Sequence, residues 1–344
     1  MWLVDDPLFL EHRARGYHPE RPERLIAARA AIAGLEAEGH TFERVPLRDA
    51  KEDEIATVHD AAYVEELDKV RGLYAALDDD TYLGPKSVHA AVRAAGGAIA
   101  LVEKLLDPSG PSTGVALLRP PGHHARPSGG MGFCLLNNIA IAARAARRSG
   151  VERIAIVDWD VHHGNGTEEV FYEDPHVLFT SIHQYPFYPG TGAAASTGRG
   201  EGLGYTVNIP LSQSATNTTY ASAFERVVVP VLESYAPELI LVSAGFDAHA
   251  RDPLAAMSLT GEAYEQMARA VKRVADASAH GRVGVVLEGG YDLAGLSESL
   301  TATLRGLTTS AAPAAPKSER APLSQRHGLE IENARAVAAA RWRI

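Results

Sequence analysis

The sequence predicts a single α/β domain built on a parallel sheet covered by helices, and three observations predict it. Five short apolar runs rich in β-branched residues, at 115–118, 154–157, 177–182, 239–243 and 283–287, read as buried parallel strands. Segments of helical periodicity lie between or beside them, at roughly 86–106, 136–149, 219–234, 261–279 and 292–306. Each strand is followed at once by a polar segment rich in Gly or His.

Those segments carry the functional signal. After the first strand comes Arg119-Pro-Pro-Gly-His-His124, and after the second Asp158-Trp-Asp-Val-His-His-Gly-Asn-Gly166. His183 follows the third, Gly245-Phe-Asp-Ala-His249 follows the fourth, and Glu288-Gly-Gly-Tyr291 the fifth. Ligands of open α/β sheets bind outside the carboxyl ends of the strands, so five clusters can converge on one cleft. A cleft built from residues 119–291 leaves no room for a domain boundary inside that span.

The flanking regions are read in order. Pro22-Glu23-Arg24 begins a helix running to about Glu38, with Pro in a tolerated first-turn position. Asp78-Asp79-Asp80 sits in an exposed loop before the helix near Lys86. The Ala/Pro stretch at 311–316 reads as a linker, followed by an Ala/Arg-rich helix near 330–343. The expected division is therefore a catalytic domain over 1–310 and a linker with helical tail over 311–344.

Composition narrows the class. The chain has 344 residues, 46% hydrophobic and 22% charged, an ordinary globular balance. A net charge of -10 argues against nucleic-acid binding, which needs a basic footprint. The tail from Ala311 is about +3 and the preceding residues about -13. No apolar run approaches the ~20 residues that span a bilayer. The first residues turn acidic within five positions, which reads against a signal peptide. Cys134 is the only cysteine, which excludes an intrachain disulfide and a cysteine-based metal site. A cytoplasmic location is expected; composition leaves the oligomeric state open, a homo-oligomer included.

In Asp158-x-Asp160-x-His162 an extended segment points all three side chains to one face. Carboxylate oxygen and imidazole nitrogen together suit a divalent ion of borderline hardness. Asp247, from another strand end, would complete three ligands and leave a position open for water. An isolated Asp-x-His is better explained by turn capping or a hydrogen-bonded pair; clusters at three strand ends are not. His123 and His124 are candidates for proton transfer, because imidazole titrates near neutrality, with Asp158 and Asn165 as partners. Tyr291 could aim its hydroxyl at a developing oxyanion, or simply mark a tight turn.

Together these segments resemble the histone deacetylase superfamily, with its bacterial deacetylase-like and acetylpolyamine amidohydrolase members. The resemblance also includes His18-Pro-Glu-Arg-Pro-Glu-Arg24, Gly132-Phe-Cys-Leu-Leu-Asn-Asn138 and Tyr188-Pro-Gly-Thr-Gly192, and spans about residues 17–307. It implies the arginase/deacetylase fold, a central parallel sheet of about eight strands between helices. It implies zinc at Asp160, His162 and Asp247, the choice between Zn²⁺ and Fe²⁺ in the cell staying open. It makes His123 and His124 the acid/base pair, Asp158 and Asn165 their partners, and Tyr291 the hydroxyl that polarises the acyl carbonyl.

Gly132, Phe133 and Tyr188 are implied as substrate-tunnel residues, Arg24 as a lining of an internal channel, and Leu254 as a mouth position. Asp79 or Asp80 would be a rim carboxylate or simply part of a solvated loop. A potassium ion is implied at Asp158, Asp160, Ser181 and the carbonyls of His162 and Ile182. A second would take carbonyls near Phe171, Asp174, Val177 and Tyr205. The substrate would be an acetylated lysine or another acylated amine, hydrolysed by metal-activated water.

Two departures bear on subtype. Asn165 stands where many members carry Asp, keeping a hydrogen bond but losing a charge. Leu254 stands where polyamine-selective members carry an acid, which tilts away from polyamines. An acetylpolyamine or other small amide or ester hydrolase is the nearest alternative. An arginase-like dimanganese ureohydrolase needs further acidic ligands, and a non-catalytic acyl-ligand binder would not need His123, His124 and Tyr291.

Overall fold

A computed structural model describes residues 1–308 and 322–344; the linker expected at 311–316 lies outside the described residues. In chain order the strands are β1 (Trp2–Val4), β2 (Glu43–Arg44), β3 (Ala75–Ala76), β4 (Tyr82–Leu83) and β5 (Thr113–Ala116). They continue as β6 (Ile154–Asp158), β7 (Val177–Gln184), β8 (Thr206–Leu211), β9 (Leu239–Ala244) and β10 (Val283–Leu287). Eight of them form one parallel sheet in the order β2-β1-β5-β10-β9-β6-β7-β8, while β3 and β4 make a separate antiparallel pair. The chain is thus a single α/β domain with an eight-stranded parallel sheet.

The five strands expected from apolar runs are the five adjacent central ones, β5, β10, β9, β6 and β7. Being covered on both faces, they are buried throughout and mostly apolar, with polar residues concentrated towards their carboxyl ends. The three strands without such a run lie toward the edges. β2 is two exposed residues, and β8 interrupts its apolar residues with Asn208 and Pro210. Proline is tolerated at a sheet edge because it removes no interior ladder bond. β5 begins and ends two residues before the expected segment, since the chain leaves the ladder for Arg119 after Leu117 N–H bonds the Val4 carbonyl.

Helices flank the sheet in two groups. Pro22–Ala37, Leu293–Thr308 and Gly261–Ser278 pack side by side, and Ser87–Leu106 packs with Asn138–Arg148. No helix among the described residues is long and apolar enough to cross a membrane. The tail helix is Gln325–Ala338, earlier than expected, and it packs against β8. Ile331 and Ala334 are buried, Glu330 accepts the Ser212 N–H (3.0 Å), and Trp342 Nε1 donates to the Gly204 carbonyl (2.9 Å).

Asn137 shows how a polar motif builds the scaffold. Its Oδ1 caps the helix Asn138–Arg148 by accepting the Ala140 N–H (3.1 Å), and its Nδ2 holds the Ala125 carbonyl just after the His pair (3.1 Å). Asn138 Nδ2 donates to the Pro120 carbonyl in the same loop (3.1 Å).

Behind Asn137, buried His59 accepts the Asn137 N–H at Nε2 (2.9 Å) and donates from Nδ1 to the Arg126 carbonyl (3.0 Å). That pairing requires the neutral ring, and burial holds its pKa down to about 4. The unfolded chain takes up this proton near pH 6.5, so stability present above that pH is lost as pH falls towards about 4. The loss should be on the order of 3 kcal/mol, read from urea midpoints at pH 7 and pH 4. His59→Gln should flatten that part of the curve; an unchanged pH dependence in the variant would refute the assignment.

Candidate active site

Four of the five expected polar clusters meet at the carboxyl ends of the central strands, while His183 lies within β7 and bonds Ser181 and the Gly192 carbonyl. The extended arrangement expected for 158–162 needs one correction. β6 ends at Asp158, and the chain bends from Asp160 onward. Asp158 therefore turns to His123, while Asp160 and His162 meet Asp247 from the end of β9.

The ligand-type atoms of Asp160, His162 and Asp247 all lie within 4.8 Å of one another, and all three residues are buried. Asp160 is fixed by two backbone donors, the His162 N–H (2.9 Å) and the Gly289 N–H (2.8 Å). Asp247 accepts the Val161 N–H (2.9 Å). His162 Nδ1 stands 3.2 Å from Asp160 Oδ1 and 3.1 Å from Asp247 Oδ2. Burial opposes a proton there, yet the two carboxylates drive the imidazole up to about 10. Burial and repulsion from Asp160 push the Asp247 carboxyl up to about 7. The pocket thus demands positive charge between its carboxylates, and a divalent ion fits the donor set.

Gly289 makes that packing possible. A Cβ there would fall 2.2 Å from Asp247 Oδ2 and 2.6 Å from Asp160 Oδ2.

Two histidine dyads stand beside this cluster. His123 Nδ1 donates to Asp158 Oδ2 (3.0 Å) and His124 Nδ1 donates to Asn165 Oδ1 (2.8 Å), with ring centroids 4.0 Å apart. Burial works against charge on both rings. For His123 it is overcome by Asp158 and then Asp160, which raise its pKa to about 10. For His124 burial wins, helped by repulsion from His123 and His162, and its pKa falls well below the ordinary value. The pair is divided into a charged ring and a neutral one.

Aromatic rings line the approach. Tyr188 meets His124 edge-on (5.3 Å), Phe187 stacks on His162 (5.4 Å), and Phe133 meets Tyr291 edge-on (5.7 Å). Gly132, at φ +55°, has no room for a side chain: a Cβ would meet His124 Cδ2 at 2.6 Å and Tyr188 Oη at 3.0 Å. Burial, then the Asp80 carboxylate, raises the Tyr188 phenol, which places the exposed acidic loop near the same rim. His18 lies edge-on to Phe133 (4.7 Å) and bonds the Asp80 carbonyl through Nε2 (3.0 Å).

Tyr291 is fixed by its backbone and ring. Its N–H donates to Asp252 Oδ2 (2.6 Å), and the Arg24 guanidinium lies 4.9 Å from its ring centre. Arg24 is fully buried, not a helix-surface charge, and donates to the carbonyls of Glu288 and Gly290 on either side of Gly289. Leu254, half-buried, donates its N–H to Asp252 Oδ1 (3.0 Å). Ser181 pairs in register with Asp158 across β6 and β7, and its hydroxyl bonds His183 Nδ1 (2.9 Å). The Ile182 segment continues the same strand. The carbonyls of Phe171 and Tyr205 accept backbone N–H groups of Asp174 and Phe179.

Sequence reasoning gave no role to four contributors: Glu20, Asp252, Glu288 and Gly289. Glu288 is buried, accepts the N–H groups of Gly122 (2.7 Å) and His123 (3.2 Å), and is pushed up to about 7 by burial. Its place directly after β10 was the available signal. Glu20 and Asp252 stand in loops where a charge ordinarily faces water.

Fold and site together define an α/β protein whose strand ends gather a metal-type ligand set beside two histidine dyads. The chain belongs to the histone deacetylase family: residues 18–307 match the family's histone deacetylase domain. It is 40% identical over 307 residues to "Histone deacetylase 14, chloroplastic" of Arabidopsis thaliana, covering 84% of this chain and 73% of that protein. It is 40% identical over 345 residues to "Polyamine deacetylase HDAC10" of Homo sapiens, covering 94% of this chain but 49% of that one. The crystal structure of the HDA15 HD domain superimposes with a TM-score of 0.90 at 35% identity, covering 99% of this chain and 94% of that one. The chain is accordingly a hydrolase of amide bonds.

Proposed function

We propose that the chain is a metal-dependent deacylase that removes acetyl or similar acyl groups from lysine side chains or small amines. The observation that carries this reading is the neutral His124, held through Nδ1 by Asn165 beside the Asp160, His162 and Asp247 ligand set. A zinc ion held by those three residues would supply Lewis acidity, lowering the pKa of water and polarising the acyl carbonyl. Zinc matches the carboxylate and imidazole donors.

The chain's own groups divide the remaining work. Because Asn165 accepts the Nδ1 proton, His124 keeps its Nε2 lone pair free to take a proton from the attacking water. The same nitrogen then returns that proton to the departing amine, so the free amine and the acid leave with no net proton change. His123, charged through Asp158, adds positive potential beside the developing oxyanion. Tyr291 donates its hydroxyl to that oxygen. Gly132, Phe133 and Tyr188 form the channel walls for an aliphatic side chain.

Asp158, Ser181 and the Ile182 carbonyl are assigned to a potassium ion with Asp160 and the His162 carbonyl; the Asp158–Ser181 register supports it. All these residues precede position 310, which supports a catalytic unit over 1–310 with the tail helix as a docked addition.

For substrate, Leu254 offers no carboxylate to a distal ammonium, which favours acyl-lysine over acylpolyamine. The test is a turnover panel of acetyl-lysine peptides, acetylpolyamines, longer acyl-lysines and simple esters, run with metal analysis. One divalent ion per chain and the highest kcat/KM on an acyl-lysine are expected. Preference for an acetylpolyamine would transfer the assignment to the polyamine alternative, and turnover of none would end it.

A further inference from the structure

Beneath Tyr291 lies a buried charge cluster that the reaction just described does not use. Glu20, Arg24 and Arg119 are all fully buried, and His12 nearly so. Glu20 Oε1 accepts Arg24 Nη1 (3.0 Å) and Arg119 Nε (2.5 Å), and Glu20 Oε2 accepts Arg119 Nη2 (2.8 Å) and the Tyr82 hydroxyl (3.1 Å). His12, stacked on Tyr82 at 4.4 Å, is kept neutral by burial. Among the described residues no other carboxylate pairs with either guanidinium; Glu288 offers Arg24 only its backbone carbonyl. One buried carboxylate therefore serves two buried cations.

The two arginines use that carboxylate differently. Arg119 holds it with two nitrogens and spends its remaining donors on the Phe9 (2.6 Å) and His12 (3.1 Å) carbonyls of the N-terminal segment. Arg24 touches it with a single nitrogen. Its other donors reach the Gly290 carbonyl (2.6 Å) and the Glu288 carbonyl, and its plane lies against the Tyr291 ring. A guanidinium fixes three acceptors in one plane, so the place of Glu20 sets the place of both carbonyls and of the ring.

We propose that Glu20 is a positioning residue for Tyr291, acting through Arg24. It rests on the reading of Tyr291 as the group that donates to the acyl oxygen. With Glu20 charged, Arg24 is held with its fork towards Glu288 and Gly290, and the Tyr291 hydroxyl is presented in one orientation. Without that charge, Arg24 loses its only carboxylate partner and can repack, freeing the loop at Gly289 and Gly290. The effect should fall on the chemical step rather than on binding, since neither residue lines the channel entrance at Tyr188.

The test is a double-mutant cycle in steady-state kinetics on an acetyl-lysine peptide. Glu20→Gln should lower kcat at least tenfold while KM changes less than threefold. In a Tyr291→Phe background the same substitution should cost less than threefold, because the group it positions is already gone. Equal losses in both backgrounds, or an effect confined to KM, would show a general structural role and overturn the inference.

Glu20→Gln leaves two buried arginines short of a counter-charge and can fail to fold. Glu20→Asp then provides the decisive cycle, because it keeps the counter-charge but withdraws the carboxylate from Arg24 by one methylene. The same tenfold or larger kcat loss and the same collapse with Tyr291→Phe are expected, and independent losses overturn the inference. Ordinary turnover by Tyr291→Phe alone would instead defeat the reading of Tyr291, and this inference with it.

Discussion

A chain carrying His124→Ala is expected to turn over an acetyl-lysine peptide at least about a hundredfold more slowly while keeping its fold. Positioned proton transfer contributes about 10²- to 10⁴-fold, and a hundredfold loss corresponds to about 2.7 kcal/mol in the barrier. His124 is the neutral member of the pair, so it alone has a lone pair to offer at neutral pH. Its Nδ1 is committed to Asn165 at 2.8 Å, which leaves Nε2 for the reaction. His123 cannot substitute, because Asp158 and Asp160 hold it charged up to about pH 10. The loss should appear in kcat and in kcat/KM alike, with the circular dichroism spectrum unchanged. Turnover within tenfold of the unaltered chain would remove His124 from the mechanism.

Gly289→Ala is expected to lose bound metal and, with it, more than about a hundredfold in activity. The added carbon would stand 2.2 Å from Asp247 Oδ2 and 2.6 Å from Asp160 Oδ2, well inside van der Waals contact. Neither carboxylate can step aside without losing a backbone donor. Asp160 is held by the N–H groups of His162 and of Gly289 itself, and Asp247 by that of Val161. Metal per chain, measured after gel filtration, should fall well below one, and activity should fall in parallel. A full complement of metal with ordinary turnover would show that the two carboxylates are not the ligands. Gly245 offers an independent check, because a Cβ there would lie 2.0 Å from Asp160 Oδ2.

Much of the centre was legible in the chain, for a reason visible in individual residues. Asp158, Asp160, His162, Asp247, His123, His124 and Tyr291 lie at or shortly beyond the ends of buried strands, and parallel topology brings those strand ends to one edge of the sheet. Their chemistry is unusual enough that few other roles explain it. β2 and β8 were illegible because an edge strand need not be apolar on both faces, and Asn208 and Pro210 hide the pattern. The bend after Asp158 was equally hidden. An alternating Asp-x-Asp-x-His suits a strand, and only the bonds from the Asp160 N–H to Asp158 Oδ1 and from the His162 N–H to Asp160 Oδ1 show that the strand has stopped.

The supporting residues are a different matter. Arg24 reads as one charge on a helix, and Glu20 as one charge in a loop. Their meaning comes from partners far along the chain: Gly290 lies 266 positions from Arg24, and Arg119 lies 99 positions from Glu20. A lone Gly-Gly-Tyr likewise gives no sign that Gly289 is pressed between two carboxylates.

By itself the sequence determined the α/β class and the strand ends that gather Asp160, His162, Asp247 and the histidine pair. These follow from local hydrophobic period and from residue type, which nearest neighbours set. Only the tertiary structure decided which histidine is charged, where the ligand segment leaves the sheet, and why Tyr291 has a buried arginine behind it. Each of those depends on burial and on distances of a few ångströms between segments remote in the chain, where Coulomb energy and excluded volume act.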